Sequence, residues 1–96
     1  MFYKSYYVYI VVCKDDNFYT GQTGNIRMRL NQHNGVSYWP GAKYTKSRRP
    51  VFLQHLEKFQ TRKDAMAREN EIKQMPHTEK RDLIDKTSKD QILSAV

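Results

Sequence analysis

The most constraining stretch is Tyr6 to Cys13, Tyr-Tyr-Val-Tyr-Ile-Val-Val-Cys, an unbroken aromatic and β-branched run that stops at Lys14-Asp15-Asp16-Asn17. Such side chains pack well on a pleated surface and lose rotamer freedom in a helix. Phe18-Tyr19-Thr20 resumes the same residue types after the polar break, so the two runs predict a β-hairpin. Alternation puts Val8, Ile10 and Val12 on one face of the first strand and Tyr7, Tyr9, Val11 and Cys13 on the other. The aliphatic face is the better candidate for the core. Parity then constrains the turn. Tyr9 and Tyr19 share a sheet face only if the connection holds an odd number of residues, and a two- or four-residue turn would separate them.

Downstream, a helix fits from about Gly24 or Asn25 to Asn34, closed by Gly35. Residues 35–50 form a long loop, and Val51 to Phe59 returns to a strand-like mixture. Thr61 can cap a second helix, with Asp64 in capping-box position, and that helix stops before Pro76. Thr78 is the expected cap of a third helix through Asp85 or Lys86. The order ββαβαα implies one α+β domain over residues 5–86. It has a small, mainly antiparallel three-stranded sheet flanked by helices, and residues 87–96 form a polar tail. Ninety-six residues leave room for one domain.

Seventeen Lys and Arg against ten Asp and Glu give a net charge of +7, which favours polyanionic partners, nucleic acid first. Cys13 is the single cysteine, so no internal disulfide forms, and no Cys/His cluster has zinc spacing. With no apolar run long enough to span a membrane, the expectation is a cytoplasmic protein.

Two helices carry the chemistry. On the first, Ile26 and Leu30 form a narrow apolar stripe, and Arg29 and His33, four apart, rise beside it. An Arg and a His there can grip a phosphate from two directions, although Arg29 could equally lie over apolar neighbours. On the second, Glu69 falls almost between Ala65 and Ile72 on an apolar stripe. A carboxylate there is costly unless a metal ion, an arginine or a raised pKa relieves it, and an ion pair with Lys73 is the plainer alternative. The loop alternates rings with cations, namely Trp39, Lys43, Tyr44, Lys46, Arg48 and Arg49. Rings stack on bases while cations neutralise phosphates, so these six are candidate nucleic-acid contacts. His55 and His77 read as structural or surface residues, and Cys13 has no visible base partner.

Tyr7-Val8-Tyr9 and, after nine intervening residues, Tyr19-Thr20-Gly21 resemble the paired tripeptides that name the GIY-YIG nucleases. Arg29, His33 and Glu69 follow where that family's pattern places its arginine, histidine and metal-binding glutamate. Gly41-Ala42-Lys43-Tyr44-Thr45 and the stretch from Arg68-Glu69 to Ile72-Lys73 look like the small stand-alone bacterial subgroup. The resemblance covers about residues 6–85. Tyr7 stands where the family has glycine and Thr20 where it has an aliphatic residue, and no equivalent of the asparagine carried by larger members can be placed.

The resemblance implies a metal-dependent DNA endonuclease hydrolysing phosphodiester bonds, in repair or recombination, with RNA as an alternative substrate. Glu69 would hold one Mg²⁺ or Mn²⁺ ion, Arg29 would neutralise transition-state charge, and Tyr9 or Tyr19 would orient or deprotonate the attacking water. Nearby cations would have to lower the pKa of that tyrosine, and His33 would contact phosphate or the tyrosine. A protein partner would supply substrate selection. The competing reading is a nucleic-acid-binding module of the same fold that does not cut.

Overall fold

A computed structural model of the chain describes residues 5–34, 48–90 and 92. Its elements are β1 (Tyr6–Cys13), β2 (Phe18–Thr23), α1 (Ile26–His33), β3 (Val51–Phe59), α2 (Arg62–Lys73) and α3 (His77–Lys86). The architecture is α+β in the order ββαβαα, with a three-stranded antiparallel sheet arranged β2-β1-β3. Among the described residues no helix is long and apolar enough to cross a membrane.

The hairpin answers the parity argument. Cys13 N donates to Asn17 O at 2.8 Å, and Asp16 N donates to Cys13 O at 2.9 Å. Asp16 sits at φ 66, so three residues turn the chain with the last in the left-handed region, as three-residue hairpins require. Asp and Asn tolerate that region better than other side chains do, apart from glycine. The resulting register pairs Tyr9 with Gly21 and Val11 with Tyr19, so both tyrosines face the same way.

Both faces of the sheet are buried, not the aliphatic one alone. Val8 and Ile10 are fully buried with Ala65 and Ile72 of α2 and with Ile84 of α3. On the opposite face Tyr9 and Val11 are equally buried, with Cys13, Ile26, Val51 and Leu56, and Leu30 of α1 packs against them. The two-residue stripe of α1 is joined on that side by the rings of Tyr7, Tyr9 and Tyr19.

A register shift between Ile10 and Val11 moves their β3 partners from His55 to Leu53, leaving Gln54 as the extra residue. The bulge lets Leu53 and Leu56, an odd number of positions apart, both reach the α1 face.

Caps fix the helix starts. Asn25 accepts from Met28 N at 3.0 Å, and Thr61 accepts from Asp64 N at 3.2 Å. The third helix differs from expectation. It starts at His77 after Pro76, and no side chain caps it, so Thr78 lies inside the first turn. The Pro76 carbonyl accepts from Glu79 N at 3.1 Å and from Lys80 N at 3.2 Å, so the donor a hydroxyl cap would take is already paired. Phe18 of β2 holds this end of α3. Its ring stacks on His77 at 4.3 Å between centroids, with the Arg81 guanidinium 5.1 Å from its centre.

Candidate active site

Tyr9 leaves the central strand with its ring laid across Gly21. A Cβ at Gly21 would lie 2.4 Å from Tyr9 Oη and 2.6 Å from Cζ, so this position needs glycine for the close approach. The ring ends at α1, where Tyr9 Oη lies 2.8 Å from His33 Nε2. Tyr19 closes the group, its ring centroid 5.0 Å from His33 and 6.5 Å from Tyr9. Arg29, one turn before His33, lies near enough to act electrostatically on both Tyr9 and His33. Four of the five residues singled out in the sequence therefore converge on one side of the sheet.

What fixes His33 was not foreseen. Asn34 Oδ1 accepts from Val51 N at 2.8 Å, and its Nδ2 donates to Val51 O at 3.2 Å, so one side chain pairs like a strand neighbour. Arg49 Nε donates to His33 O at 2.8 Å. These bonds lock the end of α1 to the start of β3 and set the height of the imidazole. Arg48 pairs with Asp15 at 3.1 Å, and its carbonyl accepts from Lys14 N. Both arginines thus support the fold. Trp39, Lys43, Tyr44 and Lys46 lie outside the described residues.

Electrostatics correct one expectation. Burial raises the Tyr9 pKa far above its ordinary value, helped by the Tyr19 and Glu69 charges, and Arg29 opposes it without prevailing. Tyr9 is therefore protonated at rest. Burial, then the Arg29 and Arg49 charges, pushes His33 down to about 4, so its ring is neutral at neutral pH. The geometry pairs a phenol with a neutral imidazole. Cys13 is buried, and that burial raises its pKa, which suits a packing role.

Glu69 projects from α2, the helix on the other face of the sheet, with its side chain 18% exposed. Its Oε2 lies 3.5 Å from Lys73 Nζ, and its charge reaches Tyr9. Among the described residues no three His, Cys, Asp or Glu gather into a metal cage. A single partly open carboxylate nonetheless fits a hard divalent ion of the Mg²⁺ type. Such ions keep most of their water and take further ligands from a substrate phosphate. Lys73 can release Glu69 at little cost, because exposed helix pairs contribute only about 0.3–0.5 kcal/mol.

A second polar cluster lies on the same side as α2. Arg68 Nε lies 2.9 Å from Glu57 Oε1, and a second guanidinium nitrogen pairs with Glu71. His55 bridges Glu57 at 2.7 Å and Thr87 at 2.5 Å. His55 is thus a buried structural residue, but not an isolated one. The sequence signal was a His and a Glu two apart, on one face of the strand. Burial pushes the Glu57 carboxyl up, yet the His55 and Arg68 hydrogen bonds and the Arg68 charge hold it at about 2.

These two groups predict acid lability in two steps. The unfolded chain takes up the His33 proton near 6.5 and the folded one near 4, so stability falls across that window. Glu57 ionises near 4.5 unfolded and about 2 folded, so its contribution is complete above 4.5 and is lost as pH falls to 2. Each step is worth on the order of 2–3 kcal/mol. Urea unfolding at stepped pH should show both steps, with Glu57→Gln removing the lower one. A stability flat from pH 7 to 4 would contradict the His33 assignment.

Comparison with known proteins shows the family and the fold. Residues 5–82 match the GIY-YIG catalytic domain. A UPF0213 protein of Syntrophus aciditrophicus is 53% identical over 78 residues, covering 81% of this chain and 87% of the relative. One from Staphylococcus haemolyticus is 48% identical, with 83% and 94% covered. The solution structure of a UPF0213 protein from Bacillus halodurans superposes with a TM-score of 0.57 at 33% identity, covering 94% of each chain. An E. faecalis protein gives 0.58 at 36% identity, covering 85% and 84%. The tripeptides, the tyrosine-histidine-arginine cluster and the domain match lead to one assignment: the chain belongs to the GIY-YIG family.

Proposed function

We propose that this protein is a metal-dependent endonuclease that hydrolyses phosphodiester bonds in DNA. The observation that carries the reading is the Tyr9 hydroxyl held 2.8 Å from a neutral His33, beside Arg29 and Tyr19. A buried phenol set against an imidazole and an arginine can handle a proton and an anion together.

Tyr9 accepts a proton from the attacking water while passing its own to His33 Nε2. The oxygen so freed bonds to phosphorus as the bond to the 3′-oxygen breaks. For this relay His33 carries its resting proton on Nδ1. A substrate phosphate at Arg29 offsets the charges that now depress the imidazole, which raises its basicity when it is needed. Arg29 binds the phosphate and stabilises its growing negative charge. Tyr19 walls the cluster and orients the water.

Glu69 would hold Mg²⁺ or Mn²⁺, which when bound polarises a phosphate oxygen and stabilises the leaving oxygen. Trp39, Lys43, Tyr44, Lys46, Arg48 and Arg49 would add base stacking and phosphate contacts. The activity proposed would serve DNA repair or recombination, with a protein partner choosing the substrate. RNA is the alternative polyanion.

Cleavage of labelled single-stranded, duplex and branched DNA and of RNA tests this. Wild type and Glu69→Ala are compared with Mg²⁺, Mn²⁺ or EDTA. Metal-dependent cutting is expected in wild type, falling at least roughly a hundredfold in Glu69→Ala with the fold intact. The Glu69–Lys73 pair favours the rival reading, a module that binds without cutting. Salt-sensitive binding with no cutting of any substrate would establish that module instead.

A further inference from the structure

Beside the cluster a groove opens around the end of β2, lined by Gln22, Thr23 and Gly24, by Met28 and Arg29 of α1, and by Tyr6 and Arg62. It links the two faces of the sheet, since Arg29 rises from α1 and Arg62 begins α2. Arg62 is exposed, and among the described residues no carboxylate pairs with it. Helix stability does not explain its place, because a cation in a first turn opposes the helix dipole. Gln22 is half-buried, and its amide offers both a donor and an acceptor to the same space. Two arginines lining one cleft, with a tyrosine and polar residues in the same lining, suit a polyanion whose charges are regularly spaced.

We propose that this groove is the subsite for the phosphate adjoining the one that is cut, with Arg62 as its ligand and Tyr6 and Met28 against the intervening sugar. The ligand class is the sugar-phosphate backbone of a polynucleotide. Contacts of this kind position a strand without reading its sequence. Arg62 is thereby a positioning residue that sets the register of the backbone relative to Arg29. The inference rests on the nuclease reading for its substrate class but not on catalysis.

The test is binding, so it is independent of cutting. Fluorescence anisotropy with a fluorescein-labelled DNA hairpin bearing single-stranded tails is measured in EDTA across a salt series. Wild type is compared with Arg62→Ala, Arg62→Lys and Lys63→Ala. Lys63 removes the same charge from the same turn of α2 without lining the groove. Arg62→Ala should weaken binding roughly five- to tenfold near 0.1 M salt and reduce the slope of log K against log salt by about one. Arg62→Lys should restore most of the slope, and Lys63→Ala should change affinity less than about twofold. Equal effects of Arg62→Ala and Lys63→Ala, with wild type binding well, would overturn the subsite and leave the nuclease reading standing. A wild type that does not bind the hairpin would overturn both.

Discussion

Gly21→Ala should cost this protein its cleavage activity and part of its stability together. The added methyl would lie 2.4 Å from the Tyr9 hydroxyl, in a site where Tyr9 is fully buried. Neither strand can yield easily, since Tyr9 and Gly21 are directly paired and β1 is held on its other side by β3. The ring must swing away, and the 2.8 Å contact with His33 goes with it. Overpacking of this kind costs about 1–3 kcal/mol. Displacing a reacting group by an ångström costs roughly a hundredfold in rate. Thermal melting and a cleavage time course on one preparation check both effects. Retention of wild-type rate and melting temperature would show that Tyr9 does not occupy this position in solution.

Tyr9→Phe should separate the two effects. The ring keeps its packing against Val11, Leu56 and Ile26, so the fold should survive. His33 Nε2 loses its partner, which costs about 1–3 kcal/mol, offset in part because a buried hydroxyl is removed too. Cleavage should fall roughly 10²–10⁴-fold, the range lost with a general acid–base group. Tyr19→Phe is the comparison, and it should lose less activity because Tyr19 orients the water without relaying its proton. Its ring lies against His33, but the hydroxyl bonded to the imidazole is that of Tyr9. If Tyr19→Phe stopped cleavage while Tyr9→Phe cut normally, the proton relay would belong to the other strand.

The hairpin was readable because it depends on local chemistry. The β-branched run and the polar break mark it without reference to the rest of the chain, whereas an odd-numbered turn was expected only on condition that Tyr9 and Tyr19 share a face. The alignment of Arg29 with His33 also follows from helix geometry alone. Burial was harder to read. Tyr7, Tyr9 and Cys13 look like the mixed face of a half-exposed strand, and only the docking of α1 closes over them. The protonation of Tyr9 followed the same course. The sequence showed the cations that would lower its pKa, but not the enclosure that outweighs them. The bulge in β3 went unread, because the three-residue spacing of Leu53 and Leu56 gains meaning only once both are seen to face α1. Thr78 misled because its hydroxyl fits a cap, while Pro76 had already set the helix entry. The partnership of Glu57 with Arg68 joins residues from separate elements, which no periodicity reveals.

The strand order β2-β1-β3 makes the molecule lopsided as a building block. Its two outer strands are not equivalent. β2 carries Tyr19 and Gly21 and ends at the groove, so a further strand laid along it would wall off the cleft. The outer rim of β3 is remote from that cleft, beyond the central strand. A larger protein built on this unit can therefore grow by extending the sheet past β3 or by continuing from α3. Additions there would bring new surfaces to the substrate and leave the tyrosines, the histidine and the arginine where they stand.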